Sequence, residues 1–299
     1  DALEAATEKI SDLTDQPPDA GTRIAGTSAW LQEVDTTVKR NDGETLGSTD
    51  VAFGLVGGLE KMGKAGGALG VTLAYLNIQD AGTYEPIGGQ LVTNLVEVGG
   101  YYRRAWGNLR ISARAAGGYA GFDENRMFVT TGVSETSKGQ WNGYFADAHA
   151  GASYEVHFGR FYVRPELSAD YLYLNEDAHS EAGAGPGFDI SIDQRVSSRM
   201  SGEALMTFGA QFGHDAWFRP EFYAGYRDIF YGDIAPTVAN FAGGNPFTLE
   251  PGETKGGWFT SGFALKAGTP LSYVAIVGEV NLRNDEQIYD VYLSGRAMF

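Results

Sequence analysis

Cysteine is absent from the 299 residues, so disulfide frameworks, thiolate metal sites and cysteine nucleophiles are excluded. Histidine is scarce: only His149, His157, His179 and His214 occur. None lies near a nucleophile motif, and no Gly-x-Ser-x-Gly elbow is found, so hydrolytic chemistry has no visible machinery. Lysine and arginine number 22 against 38 acids, for a net charge of −16. That balance argues against nucleic-acid binding, which needs clustered cations to replace counterions. No run of about 18 apolar residues exists, so no transmembrane helix is available. The chain opens at Asp1 without Met or a secretory signal, and reads as a mature product or a cut-out domain.

Glycine and aromatics are plentiful, with 42 Gly, 17 Phe, 16 Tyr and 5 Trp. They fall in long alternating segments, of which the last is the clearest. Tyr289, Val291, Leu293, Gly295, Ala297 and Phe299 share one face, and Asp290, Tyr292, Ser294, Arg296 and Met298 the other. Period two with one apolar side is a β-strand held against something greasy. A strand ending on an aromatic would fray in water, whereas a strand closing a membrane barrel is paired to its end. The same alternation runs through Leu109–Ala115, Phe161–Tyr171, Phe218–Arg227 and Tyr273–Leu282.

Twelve candidate strands can be counted, at about 22–37, 47–61, 66–78, 91–106, 109–122, 141–156, 160–175, 197–212, 216–230, 257–268, 271–283 and 287–299. Most far exceed the usual 5 to 6 residues and reach the roughly 9 to 11 that a tilted membrane strand needs. Short turns at Gly107-Asn108, 157–159, 213–215 and 269–270 alternate with long polar loops at 79–90, 123–140, 176–196 and 231–256. Short turns on one side and long loops on the other mark outer-membrane barrels. Trp106, Phe161, Trp217 and Phe299 are expected at the periplasmic rim, and Trp141, Tyr171, Tyr173, Phe230 and Trp258 at the outer rim. A faint repeat, Phe161-Tyr-Val-Arg-Pro-Glu-Leu and Ala216-Trp-Phe-Arg-Pro-Glu-Phe, puts Pro165 and Pro220 inside strands; a local bulge is expected at each.

One helix is expected, Asp1 to Asp15. Leu3, Ala6, Ile10 and Leu13 form its narrow apolar stripe, and Pro17-Pro18 ends it. Its acids, Asp1, Glu4, Glu8, Asp12 and Asp15, outweigh Lys9. Arg110, Arg114, Arg164, Arg219 and Arg227, with Glu166, Asp170, Glu221, Asp147, His149, Glu203 and Glu279, are predicted on lumen faces. In a narrow pore such arginines attract an acidic helix more strongly than they would at a surface.

An acidic helix of 15 residues, a Pro-containing link and twelve long strands ending in Phe299 resemble the translocator domain of a monomeric autotransporter, a type V secretion system. The resemblance covers essentially the whole chain. It implies a twelve-stranded antiparallel transmembrane β-barrel in the bacterial outer membrane (22–299), with a pore helix and linker (1–21) carrying Glu4, Glu8, Asp12 and Asp15. It implies export or display of an N-terminal passenger attached in cis, contact with outer-membrane lipid, a monomer, and recognition of the terminal strand (Phe299, Leu293, Val291) by the insertion machinery. A 15-residue helix is about 22 Å long, close to the roughly 25 Å apolar band. Release by an in-pore asparagine is unavailable to this helix, since no Asn precedes Asn41. Two other readings remain: a twelve-stranded solute porin, and an outer-membrane hydrolase. Loop acids Glu176, Asp177, Glu181, Asp189 and Asp193 lack EF-hand spacing, and no cofactor, metal or catalytic residue is expected.

Overall fold

The computed structural model describes residues 26–40, 47–63, 67–82, 87–251, 255–269, 271–283 and 286–298. The expected helix at 1–15 and Phe299 lie outside these. Twelve long strands make the wall: β1 Gly26–Arg40, β2 Ser48–Met62, β3 Gly67–Gly82, β4 Ile87–Trp106, β5 Leu109–Thr130, β6 Val133–Tyr154, β7 Phe161–Glu176, β8 Arg195–Ala210, β9 Trp217–Ile234, β10 Gly256–Gly268, β11 Ser272–Leu282 and β12 Glu286–Met298. Each pairs antiparallel with its neighbour in sequence. The sheet closes on itself, with β12 pairing β1 from Ser28 opposite Met298 to Arg40 opposite Glu286, which leaves the barrel no edge to satisfy in lipid.

Alternation decides which side chain goes where. Leu69, Val71, Leu73, Val98, Val274, Ile276, Val291 and Leu293 point outward and are exposed, forming a belt that is stable only against acyl chains. Their neighbours in sequence point inward and are mostly buried. Twelve strands about 4.8 Å apart, tilted by about 40°, give a circumference of about 75 Å and a backbone diameter of about 24 Å. Inward side chains leave space for little more than one helix, itself about 10–12 Å across.

Several elements differ from what the sequence suggests. Residues 123–140 are not a polar loop: β5 and β6 run on as a hairpin to a tight turn at Thr131-Gly132, where Gly132 has φ +82°. The outer loops after β7 and β9 contain short strands, His179–Ser180, Ile190–Ile192, Thr237–Phe241 and Phe247–Leu249, which form a separate four-stranded sheet. Neither proline makes a bulge. Ser153 opposes Glu166 and Val156 opposes Val163, so the register is unchanged across Pro165; Gly209 opposite Glu221 and Phe212 opposite Phe218 do the same around Pro220. Each proline sits in a two-residue gap in one ladder, where its missing N–H breaks no pair. The irregularity in this region is instead at Met200/Ser201, on the β8–β9 ladder.

Three tryptophans expected in the girdles point inward. Trp217 is buried beside Tyr273, Trp141 stacks on Phe122, and Trp258 donates through Nε1 to Glu286 at 3.1 Å. Each has an indole N–H or a ring face that an inward neighbour satisfies better than lipid does. Trp106, Phe161, Tyr171 and Phe230 do face outward and are exposed.

Candidate functional site

The barrel interior has two dissimilar walls. On β1 to β4 its middle is apolar: Val34, Val38, Ala52, Val56, Ala74, Leu76, Ile78 and Leu95 pack as one cluster. On β5 to β10 it is charged.

Glu60 on β2 anchors the first polar cluster. It accepts from Ser28 Oγ at 2.7 Å, Tyr101 Oη at 2.9 Å, Arg103 Nε at 3.0 Å and Arg296 Nη1 at 2.7 Å. Tyr101 Oη in turn accepts from Trp30 Nε1 at 2.9 Å. Glycine makes room for these rings: a Cβ on Gly58 would lie 2.4 Å from the Trp30 ring, and one on Gly70 would lie 2.3 Å from Tyr101.

The second cluster forms around Glu155, at the break between β6 and the strand 156–158. Its Oε2 lies 3.0 Å from both Arg110 Nη1 and Arg219 Nη2, and 3.5 Å from Arg164 Nη1, while Oε1 faces His157 Nε2 at 2.8 Å. Arg164 also pairs with Glu166 at 3.0 Å and with Glu221 at 3.4 Å; Lys266 Nζ reaches Glu221 at 2.9 Å. A carboxylate this deeply buried is tolerable because its negative charge is matched on several sides.

The third cluster lies midway up the wall. Arg114 bridges Glu97 and Asp147, and His149 Nδ1 meets Asp170 Oδ1 at 2.7 Å. Arg227 donates to Ser201 Oγ at 2.8 Å, and Tyr223 to Glu279 Oε2 at 2.8 Å. A cavity lined by Arg110, His149, Arg164, Glu203, Lys266 and Glu279 opens between the clusters.

The structure places Arg110, Arg114, Arg164, Glu166, Asp170, Arg219, Glu221 and Arg227 on inward faces, where they meet in these clusters. Leu293 and Val291 are 51% and 60% exposed on the outer face of β12. Glu4, Glu8, Asp12, Asp15 and Phe299 lie outside the described residues. Sequence reasoning missed Glu60, Glu97, Arg103 and Glu155, whereas Arg296 falls on the polar face expected of the last strand. The signal was available for three of the four: Glu60 shares parity with Ser48 and Asp50 against Phe53, Leu55 and Leu59, Glu97 alternates with Val96 and Val98, and Arg103 shares the parity of Glu97. Glu155 breaks a strand and gives no such sign.

Comparison with known proteins follows the same lines. Residues 29–273 match the family model "Autotransporter beta-domain". Among solved structures, the translocator domain of autotransporter NalP from Neisseria meningitidis superposes with a TM-score of 0.77 at 13% identity, covering 100% of this chain and 96% of that one. The β domain of the Bordetella autotransporter BrkA gives 0.65 at 14% identity, covering 92% and 100%. The transport unit of AIDA-I from Escherichia coli gives 0.60 at 15%, covering 99% and 98%. Esterase EstA of Pseudomonas aeruginosa is 32% identical over 145 residues, 46% of this chain. The chain thus spans 22% of that curated relative's length. A closed twelve-stranded barrel with a charge-lined bore and a family match across most of its length has one assignment: the chain belongs to the autotransporter β-domain family, outer-membrane translocators that export a passenger to the cell surface.

Proposed function

We propose that residues 1–15 form a helix that occupies the bore, with its acidic face toward the arginine wall of β5 to β10 and its apolar stripe toward the apolar wall of β1 to β4. The bore's two-sidedness carries this reading. Val34, Val56, Leu76 and Leu95 are at most 1% exposed although they line an interior that is charged on its far side. A helix with Leu3, Ala6, Ile10 and Leu13 on one side and five acids around them matches both walls in one orientation. The barrel then serves a cis-attached N-terminal passenger, and the helix limits leakage through the pore.

Catalysis is not assigned to the barrel. His149, His157 and His214 each face a carboxylate, His179 lies against the Trp141 ring, and no Gly-x-Ser-x-Gly elbow accompanies them in the sequence. Ester hydrolysis, as in the name EstA, would belong to a passenger.

The test is single-channel conductance in a planar bilayer, comparing the chain with one lacking Asp1–Asp15. Small or intermittent current that becomes large and steady on deletion is expected. Equal, large currents from both would replace the plug with the porin reading.

A further inference from the structure

The outer loop between β7 and β8, residues 177–194, is folded into the mouth of the barrel. Strands β5 and β6 pair up to Thr130 and Val133, whereas β6 meets β7 only as far as Gly143 opposite Glu176. Above that level the vacant edge of β6 is taken by the loop: Lys138 N donates to Ala182 O at 2.9 Å, and Ala182 N to Lys138 O at 2.9 Å. Its side chains then reach across the inner face of the hairpin as far as β5. Arg126 holds Glu181 with two nitrogens, Nε at 3.1 Å, and donates to Phe188 O at 3.0 Å. Phe128 packs on Phe188 at 5.1 Å, Ser137 donates to Asp189, and His179 stacks on Trp141 at 3.9 Å with the rings 3° apart.

The anchors decide the placement. Arg126 and Phe128 share parity with Arg114 on β5, and Ser137 and Trp141 share parity with Asp147 on β6, so all four face inward. Phe188 and Asp189 therefore lie against the inner face of this hairpin, while Ala182 continues the wall at the edge of β6. The loop between β9 and β10 is tied to them. Strand 190–192 pairs with 237–241, Asp193 N donates to Val238 O at 3.0 Å, and Arg195 Nη1 donates to Thr237 Oγ1 at 2.8 Å. Glu181 is held with its side chain 1% exposed, far more enclosed than a solvated loop acid.

We propose that residues 177–194, with strand 237–241 paired to them, are an outer gate, latched to the inner face of the β5–β6 hairpin by Arg126–Glu181 and Ser137–Asp189 and displaced as the passenger leaves. Latches of this kind suit a moving part. Charged and hydroxyl groups that let go at the mouth are taken up by water at once, whereas ladder hydrogen bonds within the bilayer have no such exchange partner. The gate rests on the family's export role and not on the helix occupying the bore.

A disulfide across the bridge tests it in the full chain. Directly opposed residues of a hydrogen-bonded antiparallel pair lie about 5.5 Å apart at Cα, within disulfide range, and the chain has no cysteine to compete. In cells, the Lys138→Cys/Ala182→Cys double variant, with an epitope fused before Asp1, should show a reductant-sensitive gel shift and at least tenfold less surface epitope than either single variant. Reductant present during export should restore it, with heat-modifiable mobility of the barrel unchanged throughout. Oxidised double variant displaying the epitope like the singles would overturn the gate; failure to oxidise would overturn the bridge on which it rests. Independently, Arg126→Ala should quicken hydrogen exchange at residues 181–189 several-fold relative to the β5–β6 ladder, and an unchanged rate would count against the latch.

Discussion

Gly57 and Gly58 stand side by side on β2 and face opposite ways, which makes them a built-in comparison. A Cβ on Gly57 would meet Leu31 Cδ1 at 3.6 Å, an ordinary contact on the lipid side. On Gly58 it would lie 2.4 Å from Trp30 Cε2, 2.5 Å from Nε1 and 2.6 Å from Cζ2. Alanine in place of either gains the same backbone term, roughly 0.5–1 kcal/mol over glycine in a strand interior. In Gly58→Ala the indole must move by an ångström or so to restore contact distance. Overpacking of that kind costs about 1–3 kcal/mol. Displacing Nε1 also strains its 2.9 Å bond to Tyr101 Oη, which holds Glu60, and a neutral hydrogen bond is worth about 1 kcal/mol. Gly58→Ala should therefore unfold about 2–4 kcal/mol more easily than Gly57→Ala. The assay is reversible guanidinium unfolding of the detergent-folded barrel, followed by tryptophan emission and by heat-modifiable mobility. If the two variants agree within about 0.5 kcal/mol, the ring does not depend on the bare glycine and the reasoning fails.

Three further outcomes are expected. Glu60→Ala removes the carboxylate that Arg103 and Arg296 share, with the Arg103 side chain 4% and that of Glu60 1% exposed. Breaking a buried pair costs about 3–5 kcal/mol, and Glu60→Gln, which keeps an acceptor, should lose clearly less in the same unfolding assay. Acid should loosen the outer gate in two stages. Burial pushes the His179 imidazole down from its ordinary value, despite the carboxylates of Glu176 and Glu181 nearby; the Ser137 hydroxyl, followed by the backbone N–H groups of Ala184, Gly185 and Gly183, holds Asp189 below the usual carboxylate range. Both shifts are downward, so each contribution is complete above the unfolded value, about 6.5 for His and 3.9 for Asp, and is lost as pH falls through the folded one. Hydrogen exchange at 177–194, corrected for its intrinsic rate, should quicken first below about pH 6.5 and again at strong acid; loosening toward alkaline pH would contradict both signs. Deleting Phe299 should reduce the heat-modifiable, folded form in cells, and normal folding of that variant would remove the terminal aromatic from the assembly signal.

What could be read in the sequence follows from which strands have one wet face. On β5, β7, β9 and β11 the inward positions carry Arg114, Arg164, Glu221 and Glu279 against an apolar outer face, so alternation gave both the strand and its orientation. Strand ends were also legible where a glycine must turn the chain, as at Gly107 with φ +60°. Where a hairpin leaves the bilayer, lipid no longer demands an apolar face. The outer halves of β5 and β6, with Asp123, Asn125, Lys138 and Gln140 outward, therefore read as loop although their ladder continues to Thr130 opposite Val133. Tryptophan misled for a related reason. Girdle placement presumes that the N–H seeks the headgroup region, but Trp141 and Trp258 find acceptors inside, at Glu176 and Glu286.

Midway along β2 and β3 the alternation largely vanishes, and its loss is itself informative. Ala52 and Val56 inward alternate with Phe53 and Leu55; Ala74, Leu76 and Ile78 inward alternate with Leu73 and Tyr75. Apolar on both faces is the pattern of a strand buried on both sides, and lipid accounts for only one of them. A water-filled channel would leave the other face wet, at a cost of about 25 cal/mol for each Å² of apolar surface. The inner faces of β2 and β3 thus suit an apolar occupant, while the opposite wall, with Arg110, Arg164 and Arg219 around Glu155, suits a charged one. A single amphipathic acidic helix meets both demands. The N-terminal stretch of this chain, with Leu3, Ala6, Ile10 and Leu13 set among its acids, has that composition, whereas a solute porin has no use for half a greasy lumen.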